Sequence, residues 1–302
     1  MNREKLPTKE KSEKMNPTYK PLVSLVTPTL NRVKYVEELI LNLLNQTYPN
    51  IEHIIVDANS TDGTKEILAR YQAEHPGRIR FISEPDKGIG DAVNKGWRMA
   101  KGEVLGWIDV GDTYRPDAVG AVVEGFRTSG ADVVFGGGDM VNEKGKLLRT
   151  YITKDFSLKD AINDKNQMHT PPAAFYKKEV ITRLGWVTPD GGDTTELQIA
   201  VGQKGYKIQR IDKLIFRIRL QPDSVTFSKE GRKLVRLNFR TGYLVCRKYG
   251  GSRFAPRCMK YYSFLVLDKL HIYDFVVLTV LLRLRKNSFI NRLVTKLGMV
   301  TN

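Results

Sequence analysis

The chain has 302 residues, an apolar content of 41% and a formal net charge of +16, which suits one large domain or a domain with an appendage. The charge lies at the ends: residues 1–20 hold 6 Lys/Arg against 3 Asp/Glu, residues 229–302 hold 16 against 3, and the stretch between them balances at 27 each. That excludes a basic catalytic domain that coats nucleic acid, and two cysteines, Cys246 and Cys258, exclude a disulfide framework or a cysteine-held metal cluster.

Residues 1–20 are Lys-rich and poor in apolar side chains, and read as a disordered basic tail. The ordered chain opens at Leu22-Val23-Ser24-Leu25-Val26-Thr27, a buried strand that stops at Pro28. Val33, Val36, Leu39/Ile40 and Leu43/Leu44 then recur at helical spacing, with Asn31 as N-cap. Ile51 to Val56 is a second strand, ending at Asp57, and Ser60-Thr61-Asp62-Gly63 opens a second helix. Arg78 to Ile82 is a third strand. Gly88 and Gly90 turn the chain into a helix carried by Ala92, Val93, Trp97 and Ala100, and Val104 to Ile108 is a fourth strand ending in Asp109 and Asp112. Pro116 starts a further helix and Asp132 to Phe135 is a fifth strand.

Strands that are apolar throughout and alternate with helices mean a parallel sheet covered on both faces. Such sheets bind ligands at the carboxyl ends of their strands. Here those ends carry Thr27-Pro28-Thr29, Asp57, Ser83-Glu84 and Asp109-Asp112, and acids grouped in this way suit a divalent cation held between protein and phosphates. Beyond residue 136 the pattern changes. Gly136-Gly137-Gly138 and Glu143 to Lys146 suggest a hairpin, Ala173 to Tyr176 a short strand, and Asp193-Thr194-Thr195-Glu196 a capping box before a helix. Tyr206 to Ile211 and Leu214 to Ile218 read as two strands, and residues 221–231 as a linker.

Three ordered blocks, VSLVTPTLNR, EHIIVDANSTDGT and SEPDKGIGDAVNKGWRMAKGEVLGWIDVGD, resemble the successive blocks of family-2 glycosyltransferases, including those of bacterial surface-polysaccharide assembly. The resemblance implies a GT-A domain over residues 21–220: a Rossmann-like, mostly parallel central α/β sheet with helices on both faces. It also implies inverting transfer of a sugar from a nucleotide diphosphate sugar, typically UDP-linked, to a glycan or lipid-linked acceptor. On this resemblance Pro28, Thr29 and Asn31 line the nucleotide pocket, Asp57 accepts hydrogen bonds from the base, and Asp91 faces the donor's ribose and sugar. Asp109 and Asp112 match the loop that binds Mg2+ or Mn2+ and the diphosphate, with His169 as an added ligand or phosphate contact. The third position of that loop, where the family usually has an acid, is Gly111. The catalytic base falls at the helix start, on Asp193 or Glu196, with Asp193 favoured because it follows a flexible glycine pair.

Residues 221–302 lie outside the resemblance. Arg232, Lys233, Arg236 and Arg240 form a basic stripe, and Phe264 to Leu282 supply apolar and aromatic surface before Arg283, Arg285 and Lys286. A helical basic appendage of this kind suits an anionic membrane surface near a lipid-linked acceptor. Packing on the core or on another subunit is the alternative use of the same surface. With no apolar h-region and no run long enough to span a bilayer, the expected place is the cytoplasm, peripheral to the inner face of the inner membrane. Two rival functions share these features: a nucleotidyltransferase, which should show a glycine-rich phosphate loop after the first strand where this chain has Thr27 to Arg32, and a binding scaffold that kept the fold and lost the chemistry.

Overall fold

The computed structural model describes residues 19–163, 171–185, 187, 194–221, 243–244, 246–253 and 259. The N-terminal tail, His169, Asp193, the basic stripe at 232–240 and the apolar C-terminal stretch from 261 lie outside the described residues.

Four parallel strands form the first half of the sheet: β1 (Val23–Thr29), β2 (Ile51–Asp57), β3 (Ile79–Ser83) and β4 (Val104–Trp107), in the order β3-β2-β1-β4. β1, β2 and β4 are buried along nearly their whole length, as expected where helices cover both faces. α1 (Val33–Leu44) lays Tyr35, Val36, Leu39, Ile40 and Leu43 on the sheet, and α2 (Thr64–Glu74) packs beside it. The opposite face takes α3 (Ile89–Met99), which comes so close that a Cβ on Gly96 would stand 2.4 Å from Val26 Cγ1. A larger residue there would push helix and strand apart.

Past β4 and the two-residue strand β5 (Thr113–Tyr114), α4 (Ala118–Ser129) leads into β6 (Val133–Asn142), the predicted fifth strand. β6 does not pair with β4. Between them lies β8 (Ala174–Lys177), antiparallel to both, so β6 still points the same way as the first four. The predicted hairpin is present as β6 and β7 (Leu147–Tyr151), with its turn over Glu143 to Lys146 as expected, and the three glycines lie within β6. The two strands expected after Tyr206 are one, β9 (Ile208–Leu220), parallel to β6 and antiparallel to β5. Asp212 and Lys213 are exposed within it, which is why the sequence reads as broken there.

Short helices α5 (Leu158–Ile162) and α6 (Lys178–Leu184) and the helix α7 (Thr195–Gln203) complete the described part, and α6 has no counterpart in the sequence reading. Tyr249 packs with Ala161 and Ile199, and the Ser252 amide donates to Asn163 Oδ1 at 3.0 Å, so this part of the C-terminal region is seated on α5 and α7.

Candidate nucleotide-sugar site

The parallel register sets the carboxyl ends of three strands level. Thr29 on β1 stands beside Asp57 on β2, which stands beside Ser83 on β3. Asp57 is fully buried. It accepts from the Ser60 amide at 3.0 Å, from the Ser60 hydroxyl, and from the Ser83 hydroxyl at 2.6 Å. These donors fix the carboxylate's orientation: two fall on Oδ2 and one on Oδ1, which keeps acceptor capacity.

The loop after β1 folds onto the loop after β2. Asn31 sits at φ 52, and its side chain is not the cap of α1: its Oδ1 accepts from the Thr61 amide at 2.9 Å while its own amide donates to Ser60 Oγ at 2.7 Å. The free N–H at the start of α1 is satisfied from another loop, since Val33 donates to Asp62 Oδ2 at 2.9 Å. Thr29 Oγ1 is buried without a partner and Pro28 is half-buried.

Asp91 lies in the first turn of α3. Its carboxylate accepts from the Lys87 amide at 3.1 Å and faces Lys95, one turn on, at 3.6 Å. Lys95 also reaches Glu84 at 2.9 Å. Asp86 joins this group although nothing in its surroundings in the sequence singled it out. Burial pushes its carboxyl up; the Gly88 amide and Lys95 oppose this, while the charges of Asp91 and Asp57 add to it. The charges of Asp57 and Asp91 thus both bear on Asp86 near the ends of β2 and β3.

The acidic loop closes the other side. The indole of Trp107 donates to Asp109 Oδ1 at 2.7 Å, and burial raises the Asp109 carboxyl against the pull of that bond and of Arg32. Asp112 is 9% exposed and accepts the Arg219 amide from β9 at 3.0 Å. Burial, then the charge of Asp109, lifts its carboxyl well above the ordinary range. Two buried acids raised by burial, one of them also by the charge of the other, favour a bound cation. Among the described residues no group of three His, Cys, Asp or Glu could hold one. Asp109 and Asp112 are the residues that would hold a divalent ion, and its remaining ligands would have to come from a bound molecule. Gly111 between them has φ 104, and a Cβ there would lie 2.0 Å from Gln221 Nε2.

Of the two candidate bases, Asp193 lies outside the described residues. Glu196 is in the first turn of α7, where its carboxylate takes Lys248 Nζ at 2.8 Å and the Tyr249 hydroxyl at 3.4 Å. Thr194 is the N-cap but makes no capping bond; its hydroxyl accepts from Gln198 at 2.9 Å. The chain leading towards this region is held from α3: the buried Asn94 side chain donates to the Val187 carbonyl at 2.8 Å and accepts from its amide at 3.1 Å.

A four-stranded parallel half-sheet with acids at its carboxyl ends, extended by a mixed half that returns to the acidic loop, is the GT-A arrangement. The chain belongs to glycosyl transferase family 2, whose model matches residues 24–185. It is 42% identical over 119 residues to the chondroitin synthase of Escherichia coli, covering 39% of this chain and 17% of that protein. It is 27% identical over 220 residues to the hyaluronan synthase of Pasteurella multocida, covering 70% and 22%. The chain thus spans about a fifth of those two relatives. In fold it is similar to S. aureus TarS 1-349 in complex with UDP-GlcNAc, with a TM-score of 0.58 at 18% identity over 74% of this chain and 66% of that one. It is likewise similar to the mannosyltransferase PcManGT from Pyrobaculum calidifontis in complex with GDP-Man and Mn2+, with a TM-score of 0.57 at 22% identity over 84% and 73%.

Proposed function

We propose that the protein transfers a sugar, with inversion, from a UDP-sugar to a glycan or lipid-linked acceptor of surface-polysaccharide assembly. The observation that carries this reading is the level row Thr29–Asp57–Ser83 at the carboxyl ends of β1 to β3, with the Asp109–Asp112 loop following β4, which runs parallel beside β1. Asp57, with Thr29, Pro28 and Asn31 around it, binds the base through its remaining acceptor capacity. Asp91 orients the ribose and sugar. Asp109 and Asp112 hold Mg2+ or Mn2+, which when bound neutralises charge on the departing diphosphate. A carboxylate takes the acceptor's proton as the new bond forms. Because Glu196 is engaged by Lys248 and Tyr249, that role goes to Asp193. His169 adds a phosphate or metal contact, and the relatives named for chondroitin and hyaluronan support a glycan acceptor. The basic C-terminal region brings the cleft to an anionic membrane surface. Among the described residues no helix is long and apolar enough to cross a membrane.

The test is turnover of a panel of UDP-sugars by the full chain with Mn2+, read as released UDP and as the anomeric configuration of the nascent sugar product by NMR. A β-configured product from an α-linked donor is the expected result. Retention of configuration overturns the mechanism, and release of UDP from no donor overturns the function.

A further inference from the structure

We propose that Gln221 supplies the polar contact to the donor diphosphate for which the acidic loop has no side chain at position 111. This deepens the donor-site reading above and rests on it.

Gln221 immediately follows β9 and is 2% exposed, yet its side-chain Nε2 is buried without a hydrogen-bond partner. A buried amide N–H2 left unpaired costs free energy comparable to a lost hydrogen bond. That atom stands in the space that a Cβ on Gly111 would need. It therefore lies against the loop between the two acids. Two residues earlier on the same strand, the Arg219 amide already donates to Asp112. The end of β9 thus reaches the loop twice: once with a donor whose acceptor is present, and once with a donor whose acceptor is missing. A second unpaired donor lies close by, the buried hydroxyl of Tyr114.

An uncharged donor suits this place. A lysine or arginine here would compete with the divalent ion for Asp109 and Asp112, and an acid would add a third buried negative charge. An amide N–H2 instead offers a hydrogen bond to a phosphate oxygen, which strengthens as charge builds on the leaving group. Gly111 and Gln221 are then one device. The glycine takes a left-handed φ that other residues rarely adopt, and the space where its side chain would be is filled from β9.

The experiment is calorimetric titration of the full chain with UDP and Mn2+, alongside ligand-observed NMR of uridine, which has the base and ribose but no phosphate. Gln221→Ala, and Gln221→Met of nearly unchanged size, should each weaken UDP binding by about tenfold, the effect of one buried hydrogen bond. Both should leave uridine binding and the melting temperature unchanged. Equal loss of UDP and uridine, or a fall in melting temperature that accounts for the loss, would make Gln221 a packing residue only. UDP binding at the wild-type level in both variants also overturns the proposal. If the wild-type protein itself binds no UDP, the donor-site reading falls first and the role of Gln221 with it.

Discussion

β2 carries one buried carboxylate near each end, and the two do opposite things. Glu52, at the amino end, is 2% exposed and fully matched: it accepts from the Ser24 hydroxyl at 2.6 Å and the Lys101 amide at 2.6 Å, and pairs with Arg80 at 2.8 Å. Burial pushes its carboxyl up, but these donors outweigh burial and hold it below the usual range. Asp57, at the carboxyl end, meets hydroxyls and an amide, and at the neighbouring strand end burial raises Asp109 and Asp112 by more than Arg32 and Arg219 hold them down. A buried carboxylate with its own counter-charge fastens three strands and a loop. A group of them whose nearby cations do not offset burial keeps a place for a ligand that brings more positive charge.

That contrast can be broken at either end. The largest effect should come at the ligand end. Asp112→Asn should lower transfer by about two to three orders of magnitude, the usual cost of removing a preorganised group that meets developing charge. The same change should leave the melting temperature unchanged or raise it, since a neutral amide relieves burial and the repulsion from Asp109. A melting temperature several degrees lower would show that Asp112 is a fastener like Glu52. The converse substitution, Glu52→Ala, strands the Lys101 amide and leaves the Arg80 guanidinium without its counter-charge, with only the Met99 carbonyl as acceptor. It should cost about 3–5 kcal/mol in urea denaturation, with the folded fraction binding UDP as before. Loss of UDP affinity at full stability would reverse the roles of the two ends.

A smaller effect sharpens the comparison from the residue beside Glu52. His53 is buried, with Nε2 2.9 Å from Thr27 Oγ1 and Nδ1 without a partner, and burial lowers its pKa from 6.5 to about 3. The unfolded chain binds this proton first, so the stability is present above about pH 6.5 and is lost as the pH falls towards 3. The loss from this ring should reach about 2 kcal/mol by pH 5. His53→Asn should flatten the pH dependence of urea denaturation in that window, and an unchanged slope would count against the buried neutral ring.

How much of this was legible depended on whether a feature was local. Apolar runs and helical spacing placed β1 to β4 and the helices between them, because each element carries its own period. Asp57, Asp109 and Asp112 were visible because a strand that stops at an acid presents it at the sheet's edge. What escaped was tertiary. β8 enters between β4 and β6 from far along the chain, pairing Tyr176 with both Leu105 and Val133, and nothing in the sequence of either neighbour asks for it. Asn31 has a capping residue's chemistry, yet the donor it might have served is taken by Asp62 from another loop. Glu52 looks like an ordinary polar residue in a strand until Arg80 and the Lys101 amide arrive from two other elements. Gly111 reads as a missing acid, and only the fold shows Gln221, 110 positions later, in the space beside it.

The central claim is that the carboxyl end of the sheet binds a nucleotide through a shared cation. It is tested most directly by calorimetric titration of the full chain with UDP, once with Mn2+ and once with EDTA. The account predicts binding with Mn2+ that weakens by at least about tenfold when the metal is removed. Equal binding in EDTA would take the metal away from Asp109 and Asp112, and no binding in either condition would contradict the account as a whole.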